Sequence, residues 1–160
     1  MNYFELLKLP QKFAIDETQL EDSWRLASSK VHPDRFAKAT PSEKKVALNW
    51  ASMINEAHTT LKDDVLRGLY LCSLKDINTK TQVSAEFLSK QLLWHEEIED
   101  AGSDKVRLRA LANEILKLKH GLVDCIAQLI DHHEDYEKAF SKLQQLQYIQ
   151  KILSLIESKL

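Results

Sequence analysis

Apolar residues recur in this chain every three or four positions over long, rarely interrupted stretches. Leu20, Trp24, Ala27 and Val31 form one such stripe, and Val46, Trp50, Met53, Ile54, Ala57 and Leu61 a second. Val106, Leu111, Ile115, Leu118, Leu122, Ile126 and Leu129 continue the pattern at spacings of three to five. Tyr136, Phe140, Leu143, Ile149, Ile152, Leu153 and Ile156 close it. That period puts side chains on one face of an α-helix, whereas a half-buried strand needs strict alternation. Three glycines and three prolines in 160 residues leave little material for a protein built of tight turns. The expected fold class is all-α.

Capping signals mark where the helices begin. Asn2 with Glu5, and Asp16 with Gln19, have the form of capping boxes, in which a side chain accepts an orphan N–H and a second reaches back. Thr40-Pro41-Ser42-Glu43 adds proline at the first helical position. Ser84 and Ser103 stand ready to cap two more helices. The first helix is expected from Tyr3 to about Lys8, stopped by Pro10. The second ends at His32, because Pro33 disfavours α geometry before it. The third, if it covers twenty residues, is ~30 Å long. Asp63-Asp64 breaks it, and a short apolar helix follows from Val65 to Leu74. Lys75 to Val83 is polar and aperiodic, and reads as a linker. Ala101-Gly102 and Asp131-His132-His133-Glu134 are the remaining breaks. The resulting division is 1–74, a linker at 75–83, and 84–160. Three long helices with short connections in the last part must alternate direction, which makes an up-down-up three-helix bundle.

Composition excludes several classes of function. The formal charge is −2 with both signs mixed along the chain, so binding to nucleic acid through phosphates is not expected. Cys72 and Cys125 are far apart and outside any C-x-x-C pair, as expected for thiols in a reducing compartment. The N-terminus lacks a basic region followed by an apolar run, and no apolar stretch approaches the ~20 residues that span a bilayer. A soluble, cytoplasmic protein with no membrane partner is expected.

One tripeptide stands out. In His32-Pro33-Asp34 the proline ends a helix, leaving an imidazole and a carboxylate in a short loop between two antiparallel helices. A carboxylate so placed can accept charge-assisted hydrogen bonds from an arginine. By itself the tripeptide reads more readily as an ordinary helix-ending turn with His32 as a solvated cap. Its surroundings are more specific. Tyr3-Phe4-Glu5-Leu6-Leu7, the HPD tripeptide, Met53-Ile54-Asn55-Glu56-Ala57 through Leu61, and then Arg67 and Tyr70 follow one another in an order and spacing that resembles the J-domain family. The resemblance covers the first half of the chain. It implies a helical hairpin with short flanking helices that docks on a DnaK-type chaperone and speeds its ATP hydrolysis. His32, Pro33 and Asp34 are then the triggering residues, and Arg25, Lys30 and Arg35 candidates for a basic docking face. Glu21, Asp22 and Ser28-Ser29 depart from the family's usual basic helix, which implies weaker electrostatic steering and a specialised partner.

The second half lacks a Gly/Phe-rich linker and zinc-binding C-x-x-C-x-G-x-G repeats. A J domain leading directly into a three-helix bundle, with Phe87-Leu88-Ser89-Lys90-Gln91-Leu92 followed by acids, resembles the HscB family, J-type co-chaperones of iron–sulfur cluster assembly. That resemblance implies an HscA-like chaperone and an IscU-like scaffold as partners. The scaffold-binding positions it implies are Leu88, Leu92, Glu96 and Asp100, with Tyr148 from the last helix. Ser89 and Leu93 depart from the family's usual Met and Glu. Periodicity alone leaves two readings of Leu88 and Leu92 open, bundle core or recognition strip. A J protein with a client unrelated to iron–sulfur assembly is the alternative function. A purely structural helical protein, or a small metalloprotein using the histidines, is the remaining contrast. His132 and His133 are adjacent, and so diverge on a helix, while His58, His95 and His120 are isolated in sequence. No catalytic residue, metal ligand or cofactor is expected, since no phosphate loop or nucleophile motif is present.

Overall fold

The structure, a computed structural model, describes residues 1–80 and 83–160. The expected linker from Lys75 to Val83 contains Thr81 and Gln82, which lie outside the described residues. Every regular element among the described residues is helical. The chain divides into two compact units, Met1–Leu71 and Cys72–Leu160. No helix among the described residues is long and apolar enough to cross a membrane.

In the first unit, α1 (Tyr3–Leu6) begins with the capping box Asn2/Glu5. α2 (Glu17–Lys30) begins at Asp16, whose carboxylate accepts from the N–H groups of Thr18 and Gln19. α3 (Pro41–Lys62) begins with the box Thr40/Glu43 and Pro41 in its first turn. Each cap satisfies donors that a helix start otherwise leaves orphaned, worth about 1 kcal/mol apiece. α2 and α3 pack as an antiparallel hairpin: early Glu21 meets late His58, and Trp24, one turn on, meets Asn55. α1 lies across α3, and α4 (Asp64–Ser73) follows the hairpin.

Phe4, Phe13, Leu20, Ile54, Leu61 and Leu71 are the heart of this core. Burying each such side chain contributes roughly 1.5–3 kcal/mol. The expected stripe on α3 is only half right. Ala47, Ile54, Ala57 and Leu61 are buried, while Val46, Trp50 and Met53 are exposed on its flank. Small Ala47 and Ala57 let the helices approach closely, and the bulkier neighbours are turned to the edge of the contact.

Arg67 on α4 is the one buried charged residue among those described, 5% exposed. Its Nε donates to the Phe13 carbonyl at 2.6 Å, Nη1 to the Leu61 carbonyl at 2.8 Å, and Nη2 to Asp64 Oδ1 at 2.7 Å. The guanidinium also lies over the Phe13 ring, 4.8 Å from its centroid. One side chain thereby ties the α1–α2 loop to the junction of α3 and α4. Tyr70 closes the same corner: its hydroxyl accepts from the Tyr3 N–H at 2.9 Å, and the two rings stack at 4.5 Å.

The second unit is a three-helix bundle of α5 (Ala85–Ala101), α6 (Lys105–Ala127) and α7 (Tyr136–Ser158). Ser84 caps α5 through the Phe87 N–H. Gly102 ends that helix at a φ of +55°, where a side chain would be strained, and its N–H bonds back to Ile98 and Glu99. Asp104, not the expected Ser103, caps α6; its carboxylate reaches the N–H groups of Val106 and Arg107. The helix does not stop at Asp131 either. It widens into a π turn over Gln128–His132. Glu134 then takes a left-handed φ of +52°, and the Asp135 N–H closes on the Leu129 carbonyl at 2.8 Å. The bundle core includes Phe87, Trp94, Ile98, Leu108, Ile115, Ile149, Ile152 and Ile156.

Candidate functional site

The His32-Pro33-Asp34 tripeptide joins α2 to α3. His32 has extended backbone, and Pro33–Phe36 winds into a single 3-10 turn. Pro33 sits at the first position of that turn, where its fixed φ fits and its missing N–H costs nothing. The Asp34 N–H donates to His32 Nδ1 at 3.3 Å, so the imidazole caps its own turn. The side chains remain open, 60% exposed for His32 and 93% for Asp34. Behind Pro33 an apolar pocket of about 360 Å³ is lined by Val31, Phe36, Ala47, Leu48 and Ala51, with Lys44 at its edge.

Arg25, Lys30 and Arg35 are all exposed, the first two on α2 and the third in the 3-10 turn. Glu21, whose charge the sequence sets against theirs, is engaged across the hairpin. It turns toward α3, where its Oε1 lies 2.7 Å from His58 Nε2. That hydrogen bond, helped by the charges of His58, Lys62 and Arg25 and opposed by partial burial, holds the carboxyl below the usual glutamate range. The His58 ring stacks on Trp24 at 4.4 Å, and Trp24 Nε1 donates to Asn55 Oδ1 at 3.1 Å. His58, isolated in sequence, is thus part of an interhelical cluster. The signal for it was available: Glu21 and Trp24 are one turn apart, as are Asn55 and His58.

On α5 the structure separates two faces. Phe87, Trp94, Ile98 and Ala101 are buried. Leu88 is 47% exposed and Leu92 66%. Glu96 and Asp100 are exposed in line with them, and Leu93 is exposed beside them. Leu88 and Leu92 are therefore surface, not core. Their apolar side chains stand in water next to carboxylates, as on a surface that is covered by a protein partner.

Tyr148 of α7 is half-buried at the edge of this strip. Its ring meets Phe87 edge-on at 5.9 Å and lies nearly parallel to Trp94 at 6.4 Å. Its hydroxyl shares a hydrogen bond of 2.6 Å with His95 Nε2. Burial pushes the phenol pKa above its ordinary value. Sequence reasoning missed His95. The signal for it is position: it follows Leu88 by seven residues and Leu92 by three, and so shares their side of α5. The two groups of side chains, at the hairpin tip and on α5, belong to separate units. Among the described residues no group of three or more His, Cys, Asp or Glu is placed to hold a metal ion.

A helical hairpin with an exposed HPD turn, continued by a helical bundle, defines a J-domain protein with a C-terminal helical module. Comparison with known proteins makes the assignment sharper. The HSCB C-terminal oligomerisation domain matches residues 83–157. A co-chaperone HscB homologue of Bordetella avium is 39% identical, over 94% of this chain and 92% of its own. One from Burkholderia cenocepacia is 35% identical, over 99% and 94%. Chaperone HscB from Vibrio cholerae superimposes with a TM-score of 0.88 at 29% identity, over 99% of this chain and 96% of its own. The human co-chaperone HscB shares the fold, with a TM-score of 0.90 at 23% identity, over 99% and 82%. The chain belongs to the HscB family, the J-domain co-chaperones of iron–sulfur cluster assembly.

Proposed function

We propose that this chain switches on the ATPase of a specialised, HscA-like DnaK-type chaperone and delivers an IscU-like iron–sulfur scaffold to it. The trigger is His32-Pro33-Asp34, and Arg25, Lys30 and Arg35 supply the basic docking face. The scaffold is held by Leu88, Leu92, Glu96, Asp100 and Tyr148. ATP is bound by the chaperone, and this chain contributes no catalytic group to its hydrolysis. Carrying both contacts on one chain raises the effective concentration of the scaffold at the chaperone.

The observation that carries the reading is the state of Asp34. Its carboxylate is 93% exposed at the tip of a hairpin whose ends are capped and whose turn is held by proline and by the His32 side chain. A carboxylate presented in that way is suited to an arginine of the partner. Exposure of Leu88 and Leu92 supports the second half of the reading.

Single-turnover ATP hydrolysis by the chaperone tests the first half. Asp34→Asn is expected to remove the stimulation and to leave scaffold affinity at the wild-type value. Stimulation that survives this substitution sinks the assignment of the trigger.

A further inference from the structure

Resting on the proposed scaffold-binding role of the α5 strip, we infer that His95 is a positioning residue of that surface, holding the Tyr148 ring at its edge through their shared hydrogen bond. Three observations carry this. The His95 Nε2 and the Tyr148 hydroxyl are 2.6 Å apart, an interhelical contact between α5 and α7. The remaining contacts of the Tyr148 ring, with Phe87 and Trp94, are to apolar faces that set its tilt but give its polar end nothing to bind. A cavity of about 320 Å³, lined by Phe87, Gln91, Gln144, Tyr148 and Lys151, gives the ring space beside it. Without His95 the phenol can turn its hydroxyl to water or to that cavity. With His95 it stays on the side of Leu88 and Leu92.

The role is energetic rather than one of contact. A tyrosine fixed before binding loses less rotational freedom when the partner closes over it. Because the hydroxyl is already engaged within the bundle, Tyr148 offers the partner the edge and face of its ring.

Calorimetric titration of an apo IscU-type scaffold into the full chain tests the inference. His95→Leu is expected to weaken binding about three- to tenfold, the size of one net hydrogen bond. His95→Gln, which keeps an acceptor and a donor on a side chain of comparable reach, should recover most of that loss. In a Tyr148→Phe background, His95→Leu should change nothing further. In the free protein, the imidazole ¹⁵N shifts of His95 should move when Tyr148 becomes Phe. Equal weakening by His95→Leu with and without the Tyr148 hydroxyl overturns the positioning role, since His95 then acts on its own. Unchanged affinity in His95→Leu while Leu92→Ala binds weakly also overturns it. If Leu92→Ala binds like the wild type as well, the strip itself is not the scaffold site, and this inference goes with it.

Discussion

His58 on α3 meets Glu21 on α2 at 2.7 Å, and its ring stacks on Trp24 at 4.4 Å. The pair bolts the hairpin together about three turns from the HPD tip. Its consequence for pH follows from sign. The Glu21 pKa is lowered from the ordinary 4.5, chiefly by the hydrogen bond to His58. The stabilisation is therefore complete above the unfolded value and is lost as pH falls through the folded one. Melting temperatures recorded from pH 6 downward should fall more steeply in the wild type than in Glu21→Gln over this acid range. Parallel acid limbs would remove Glu21 as a source of the effect.

Arg67 should be intolerant even of lysine. Its three nitrogens reach two buried carbonyls and one carboxylate in a planar fan that an ammonium cannot reproduce. Arg67→Met leaves the Phe13 and Leu61 carbonyls without these donors and is expected to cost about 3 kcal/mol. Urea denaturation should show it as a lower midpoint with an unchanged slope. A loss below about 0.5 kcal/mol, taken as midpoint shift times slope, would mean that water replaces the guanidinium.

Leu92 and Trp94, two residues apart on α5, should respond oppositely. Leu92 is 66% exposed and Trp94 6%. Leu92→Ala should change stability by no more than about 0.5 kcal/mol. It should nonetheless weaken scaffold binding by about 1–2 kcal/mol. Trp94→Ala should destabilise the chain by about 3–5 kcal/mol. Thermal melts and calorimetry on the same two variants check both halves. A large stability loss for Leu92→Ala would return it to the core.

Burial pushes the Cys72 thiol up to about 11 from 9.0, whereas Cys125 is half-buried. At pH 8 only about one Cys72 in a thousand is then a thiolate, the nucleophilic form. A thiol reagent should modify Cys125 first and Cys72 only on unfolding. Since the folded pKa is raised, Cys72 favours the folded state fully below pH 9.0, and that advantage declines as pH rises toward 11. Equal labelling rates in native protein would contradict its burial.

The helix starts were legible wherever the cap was local. Asn2/Glu5, Thr40/Glu43 and Ser84 act as their spacing indicates, because a cap bonds only to N–H groups two or three residues on, while Asp16 caps α2 without the reach-back from Gln19 that a full box needs. Ser103 and Asp104 are both capping types in adjacent positions, and local rules do not choose between them. Periodicity failed on α3 because it ranks residues by hydrophobicity. Packing between two close helices favours Ala47 and Ala57 at the contact and leaves Trp50 at its rim. On α5 the buried and exposed apolar residues interleave, so neither face could be assigned until α6 and α7 showed which side they cover. The His58 and His95 contacts join residues 37 and 53 positions apart: spacing within each helix gives the right face for these side chains, but not which residue of the other helix lies opposite.

The cap that His32 places on its own turn has a chemical corollary. Nδ1 accepts the Asp34 N–H and lies 3.6 Å from Asp34 Oδ2, so the neutral ring that makes this cap carries its proton on Nε2. The hairpin tip thus shows a donor on His32 beside an exposed acceptor on Asp34. A surface that reads this tip must offer the inverse order, acceptor then donor, at matching separation. The short turn thereby writes a two-letter message in hydrogen-bond polarity, and the fold itself, through one backbone amide, sets the first letter.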